Sequence, residues 1–261
     1  MVAETLRIVC WKWGGVVDKK MITFSAQHVN VLASMLSRHL HRPYELICIT
    51  DDPTDIDSSV RIVPLWDDLN DTTGCYRRLK IFSKEMESLI GKRIVSIDLD
   101  LVIKDDITNL FDRNEDFVIW GDHTRSAPYC GSFWMMTAGT REALWKDFSM
   151  TALPKSIRKL GTDQAWINYR MYPNEAMWTE ADGIYNFRLQ YGKLEKKNRR
   201  KRPLAKAVKA RARKEHSLNP PELRGTQLLP ENARLIFFNG KYDPSQTHLY
   251  KNFPWIEEHW R

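Results

Sequence analysis

Arg93-Ile-Val-Ser-Ile-Asp98-Leu99-Asp100-Leu-Val-Ile103 is the stretch on which the reading of this 261-residue chain turns. Ile94, Val95 and Ile97 before the acids, and Leu101, Val102 and Ile103 after them, make an apolar run suited to a strand buried in a parallel sheet. Side chains alternate faces along a strand, so Asp98 and Asp100 share one face and Leu99 takes the other. Burying unpaired charge is costly, so two acids in this setting need a partner, and together they can hold one cation. Hard divalent ions such as Mg2+ or Mn2+ bind through one or two carboxylates and fill their shells with water and substrate phosphates. That is the chemistry of a nucleoside-diphosphate site. Asp-x-Asp alone is a short motif, and strand-ending acids also serve as ordinary turn residues.

Upstream of the acids, strand and helix signals alternate. Residues 6–13 read as a strand, and 27–40 as a helix that aligns Val31, Leu32, Met35, Leu36 and Leu40 behind a Ser25 cap. Residues 45–50 and 60–65 are further strands, with a helix expected over 76–90. Downstream, 117–120 and 132–136 read as strands and 142–148 as a short helix. Residues 161–168 open another helix with Thr162 as its cap, and 234–240 form a last strand and turn. The alternation implies an α/β fold: a largely parallel, Rossmann-like sheet flanked by helices, with its ligand crevice at the carboxyl ends of the strands.

Composition fits one domain over 1–261, since 43% of the residues are hydrophobic and no apolar run approaches the roughly 20 residues of a membrane helix. Residues 1–7 run into a strand pattern without a basic-then-apolar leader, so a cytoplasmic location is expected. Cys10, Cys48, Cys75 and Cys130 lack metal-site or disulfide-framework spacing and read as reduced core thiols. The net charge of +7 is local in origin: residues 193–216 hold twelve Lys or Arg against Glu195 and Glu215, and the rest of the chain is slightly acidic.

Six motifs then fall into an order: Ile8-Val-Cys-Trp-Lys-Trp-Gly14, Thr50-Asp51-Asp52-Pro53, Arg77-Arg78-Leu79-Lys80-Ile81-Phe82, Asp98-Leu99-Asp100, Gly161-Thr-Asp163-Gln164-Ala-Trp-Ile-Asn168 and Phe238-Asn239-Gly240-Lys241. In order and spacing the set resembles the GT-A fold glycosyltransferases related to family 8 and similar bacterial and phage sequences. The resemblance implies a GT-A-type fold and a hexosyltransferase that moves sugar from a nucleotide-diphosphate sugar to a hydroxyl acceptor, with retention and with Mn2+ or Mg2+ bridging the diphosphate. It implies that Asp98 and Asp100 hold the metal, with Asn239 and His248 as further candidates. Donor contacts would come from Trp11, Lys12, Trp13, Thr50, Asp51, Arg77, Arg78, Lys80 and Lys241. Asp163 would recognise donor hydroxyls, and Gln164 would lie beneath the reacting carbon. An amide is a poor nucleophile, so the acceptor is expected to attack on the face from which the phosphate leaves. Two positions depart from the family pattern: Phe237 stands where a metal-binding His is usual, and Asp243 where a phosphate-binding Lys is usual.

Each nomination has a plainer alternative. Aromatic residues on a first strand are commonly core, an Asp at a strand end is a turn residue, Asp in a first helical turn is favoured anyway, and helix-face arginines pair with surface acids. Residues 193–216, with a proline start at Pro203 and many helix formers, read as a basic helical or solvated insert. Its charge suits a polyanionic acceptor such as nucleic acid, lipopolysaccharide or anionic lipid, the last placing the protein at the inner face of a membrane. Two other functions stay open on the sequence. Asp98-Leu-Asp-Leu-Val102 also matches the nucleophile motif of haloacid-dehalogenase-like phosphatases, and the Phe237 and Asp243 departures fit a nucleotide-sugar-binding protein without catalysis.

Overall fold

The computed structural model describes residues 4–14, 16–17, 20–21, 24–66, 72, 74–121, 128–151, 153–158, 161–190 and 228–261. The basic segment 193–216, and with it the polyanion-binding expectation, lies outside the described residues.

Twelve strands are described. β1 (Leu6–Lys12), β4 (Tyr44–Thr50), β5 (Arg61–Pro64), β6 (Arg93–Ile97), β8 (Phe117–Gly121), β9 (Tyr129–Thr137) and β10 (Ala176–Trp178) form a seven-stranded sheet in the order β10-β8-β9-β6-β1-β4-β5. Pairing is parallel except around β9, which runs antiparallel to both β6 and β8. β7 (Leu101–Ile103), β11 (Ile184–Asn186) and β12 (Leu235–Phe237) form a second sheet in the order β11-β12-β7. β2 (Val16–Val17) and β3 (Lys20–Met21) pair as a small ribbon.

Alternation along β1 explains the layering. Ile8 and Cys10 face one buried layer, shared with the helix Ala26–His39, the three-stranded sheet and the C-terminal helix Pro254–His259. Val9 and Trp11 face the other, with Tyr76, Leu79, Phe82, Trp134 and Trp166. The large sheet is covered on both sides, as its apolar strands require. Ser25 caps the first helix as expected, with an unusual partner: His28 Nδ1 accepts from the Ser25 backbone N–H at 3.2 Å, closing a capping box with His where Glu is customary.

The helix expected over 76–90 is a 3-10 segment, Gly74–Phe82, followed by one short helix, Met86–Leu89. The reason is spacing: the apolar residues Tyr76, Leu79 and Phe82 recur every third residue, the period at which side chains eclipse on a 3-10 helix. The neighbouring ridge of that segment carries Cys75 and Arg78. The apolar run around the acids also divides: β6 ends at Ile97 in the large sheet, β7 begins at Leu101 in the small one, and Asp98-Leu99-Asp100 joins them. Among the described residues no helix is long and apolar enough to cross a membrane.

Candidate active site

Asp98 and Asp100 sit at the carboxyl end of β6, next to the central strand β1, with Leu99 buried between them. Backbone bonds fix both: the Asp98 N–H donates to Ser132 O at 2.9 Å, and Asp100 O accepts from the Phe238 N–H at 2.8 Å. The carboxylate of Asp98 accepts from Arg78 Nη1. Arg78 also forms a two-pronged pair with Asp163, Nε to Oδ2 at 2.8 Å and Nη2 to Oδ1 at 2.9 Å. One guanidinium thus ties the 3-10 segment, the acidic link and the helix Asp163–Met171 together. Burial works against the charge on Arg78, but Asp163 and Asp98 hold it firmly protonated, its pKa raised.

The Asp163–Met171 helix starts where the sequence places it, with Thr162 Oγ1 accepting from the Ala165 N–H at 3.3 Å. Its register is pinned by Asn168, which accepts from the Tyr129 N–H at 2.9 Å and donates to Tyr129 O at 2.6 Å. Gln164 consequently lies against the start of β9, its Oε1 accepting from the Gly131 N–H at 3.2 Å. Only glycine suits that contact comfortably, because a Cβ on Gly131 would lie 3.3 Å from the Cβ of Gln164. β9 is irregular here: its pairing with β8 jumps from Ile119 opposite Trp134 to Trp120 opposite Cys130. The extra residues carry Gly131 and Ser132 into the crevice, a common use of a bulge beside a functional site.

A neutral chain completes the opposite side. Asn186 Nδ2 donates to Asn239 Oδ1 at 2.7 Å, and Asn239 Nδ2 donates to Ser132 Oγ at 2.9 Å. Gly131, Ser132, Asn168 and Asn186 were not nominated from the sequence. Gly131, a glycine at the edge of the strand read over 132–136, was the one signal for the bulge, while Ser132 and the two amides carried none.

Charge is crowded at Asp100. Burial, then Asp98, then Asp243 push its carboxyl well above the ordinary range. Asp243 is itself kept low: burial pushes it upward, but hydrogen bonds from His28 at 3.2 Å and from Ser245 at 2.6 Å and 2.8 Å outweigh this. Among the described residues no three His, Cys, Asp or Glu side chains gather around one metal position. The Asp98 and Asp100 oxygens are the right donors for a divalent ion that takes its other ligands from water and phosphate, and the crowded charge at Asp100 is what such an ion relieves. Asn239 already uses its amide oxygen to accept from Asn186, and His248 is exposed on the turn Thr247–Leu249 without a bond to either acid. Phe237 is buried and stacked on Trp120 at 4.7 Å.

Of the nominated donor-side residues, Trp11, Lys12, Trp13, Thr50 and Asp51 lie at the ends of β1 and β4, Arg77 and Lys80 lie on the Gly74–Phe82 segment, and Lys241 lies past β12. Trp11 is buried, its indole N–H donating to Ser96 Oγ at 3.1 Å, with Trp13 and Trp66 edge-on at 6.1 Å and 5.9 Å. Lys12 reaches the opposite way and donates to Asp52 O at 2.5 Å. Thr50 Oγ1 and the Asp52 backbone bond each other at 3.0 Å, and Asp51 accepts from the Gly14 N–H at 3.0 Å. Arg77 donates to Thr72 O at 2.8 Å. Lys80 lies 3.7 Å from Glu85 and over the Trp66 ring, and the Lys241 ammonium lies 4.7 Å from the centre of the Tyr242 ring.

The whole-chain architecture has known counterparts. The galactosyltransferase LgtC, solved with donor and acceptor sugar analogues, superposes with a TM-score of 0.55 at 11% identity, covering 96% of this chain and 95% of that one. The fold is the GT-A glycosyltransferase fold. An active-site mutant of LgtC gives a TM-score of 0.56 at 10% identity, with 96% and 95% covered. GlyE from Streptococcus pneumoniae TIGR4, also a glycosyltransferase, gives 0.56 at 10% identity over 97% of this chain and 61% of its own. No protein-family model matches the sequence, and no curated protein sequence matches it significantly.

Proposed function

We propose that this GT-A fold works as a retaining glycosyltransferase, moving a hexosyl group from a nucleoside-diphosphate sugar to a hydroxyl acceptor. The observation that carries the reading is the Arg78 clamp. A single buried guanidinium holds Asp163 of the helix and Asp98 of the acidic link, and so brings the two separate acidic motifs of the sequence into one crevice at the strand ends. Structural neighbours that are glycosyltransferases, one of them bound to donor and acceptor sugar analogues, support the same reading.

In this scheme Asp98 and Asp100 hold Mn2+ or Mg2+, which when bound offsets the charge that builds on the departing diphosphate. Asp163, kept in place by Arg78, takes a donor hydroxyl. Gln164, fixed by the Gly131 N–H, backs the sugar at the reacting carbon, where an oxocarbenium-like centre develops. Gln164 does not attack, since an amide is a weak nucleophile. The acceptor oxygen forms its bond to that carbon as the carbon–phosphate oxygen bond breaks on the same face, and the leaving phosphate takes the acceptor's proton. A phosphatase with Asp98 as nucleophile fits less well, because it gives no role to Asp163 and Gln164, which Arg78 and Gly131 hold in the same site.

The test is to incubate the protein and Mn2+ with UDP-, GDP-, CDP- and dTDP-sugars and follow release of free sugar and nucleoside diphosphate. Sugar release from one donor, lost in Asp100→Ala, is expected. Phosphate release from phosphomonoesters with no turnover of any nucleotide sugar overturns the reading.

A further inference from the structure

The nominated cations of the site share one property: each is already occupied within the protein. Arg78 is divided between Asp163 and Asp98, Lys12 is held by Asp52, Arg77 by Thr72 O, Lys80 lies beside Glu85, and the Lys241 ammonium rests over Tyr242. The carboxyl groups of Asp98, Asp100 and Asp243 meanwhile gather around the acidic link. A diphosphate approaching this crevice needs a positive group that is not spoken for.

Arg188 is such a group. It follows β11, which runs parallel to β12 in the register Ile184 to Leu235, Tyr185 to Ile236 and Asn186 to Phe237. A short helix, Phe187–Gln190, starts directly after β11, and its first residue stacks on Phe238, the rings 4.3 Å apart at 14°. Arg188, the second residue of that helix, comes beside the Asn239-Gly240 turn. The side chain lies against that turn: a Cβ on Gly240 would be 3.5 Å from Arg188 Nη1 and 3.7 Å from its Cδ. Gly240 adopts φ +92°, a conformation that disfavours any side chain, so the turn stays open beneath the guanidinium. Asn186 and Phe187, just before it, are locked to Asn239 and Phe238, which fixes the root of Arg188 while its end is exposed. Among the described residues the guanidinium has no hydrogen-bond or ion-pair partner. Asn239 leads through Ser132 to the backbone of Asp98, so the turn belongs to the same crevice as the acids.

We propose that Arg188 is the phosphate-binding cation of this site, its planar fork taking two oxygens of the donor diphosphate over the Asn239-Gly240 turn. The proposal rests on the glycosyltransferase reading above and adds to it a residue outside all six sequence motifs.

The experiment is calorimetric titration of the full chain with UDP, GDP, CDP and dTDP in the presence of Mn2+, and with the matching nucleosides. Wild type is compared with Arg188→Ala and Arg188→Lys, and thermal melting shows that each variant folds. The expected result is a loss of about tenfold in diphosphate affinity for Arg188→Ala, with part recovered in Arg188→Lys and nucleoside affinity unchanged. A shallower dependence of diphosphate affinity on salt in Arg188→Ala is expected too, as one fewer charge meets the phosphates. Diphosphate affinity equal in wild type and Arg188→Ala overturns the role of Arg188 alone. Equal losses for diphosphate and nucleoside also overturn it, since they mark a change in site shape. Absence of any nucleoside-diphosphate binding by the wild type overturns the parent reading and this one with it.

Discussion

The two walls of the crevice differ in how complete they are. On one, Arg78 satisfies Asp163 and Asp98 at once, and the helix behind them is pinned to β9 through Asn168. On the other, Asn186, Asn239 and Ser132 form a neutral chain that ends at a bare glycine beside an exposed guanidinium. The first wall is internally paired before any ligand arrives. The second leaves donor capacity facing outward. A site divided in this way keeps rigidity where a reacting centre has to be positioned and free charge where a charged substrate has to land.

Substitutions on each wall sharpen the contrast. The largest effect is expected for Arg78→Met, which strips two carboxylates of their partner, one of them on Asp163 at only 2% exposure. Removing one member of a buried ionic group costs about 3–5 kcal/mol, measurable as a drop in urea midpoint at constant slope. A loss below about 1 kcal/mol, the ordinary worth of an exposed pair, would show that this wall is not a paired unit. Asn239→Ala comes next. It removes the Asn239 acceptor from the buried Asn186 amide and should cost about 1–3 kcal/mol in the same assay. A cost matching that of Arg78→Met would erase the distinction between the walls.

The smallest effect is one that changes with pH. Burial, Asp98 and Asp243 raise the Asp100 carboxyl, so it ionises more readily in the unfolded chain, near pH 3.9, than in the folded one. Its contribution to stability is therefore greatest below about pH 4 and drains away as pH rises through the raised native value. Asp100→Asn cannot ionise and avoids that loss. In metal-free protein its melting temperature should match wild type in acid and exceed it at pH 8. A gap that is constant across that range would mean Asp100 ionises in the fold as freely as in the open chain.

Much of the large sheet was legible from apolar runs bounded by turns, because buried parallel strands leave little ambiguity of face. The helix over 76–90 was not, since Tyr76, Leu79 and Phe82 follow a three-residue period that a helical reading absorbs too easily. The acids and the Asp163-Gln164 pair could be found as motifs, and the turn at Gly240 came with them. What Arg78 and Lys12 would meet could not be read, because they acquire their partners only from tertiary packing. Asn186 and Ser132 were invisible for a related reason: an amide and a hydroxyl announce nothing until topology sets them beside Asn239. Arg188 was hidden in the same way, for only the folded chain brings it against Gly240, about fifty residues further on.

The link Asp98-Leu99-Asp100 is also a joint. The chain leaves the seven-stranded sheet at Ile97 and enters the three-stranded one at Leu101, with Leu99 sunk into the core between them. Carboxylates mounted on a joint act as a gauge of the angle between two slabs. Their spacing is set by how the sheets lean on each other, so repacking far from the crevice, under the helices that brace β7, can retune the pair without altering a single atom of it.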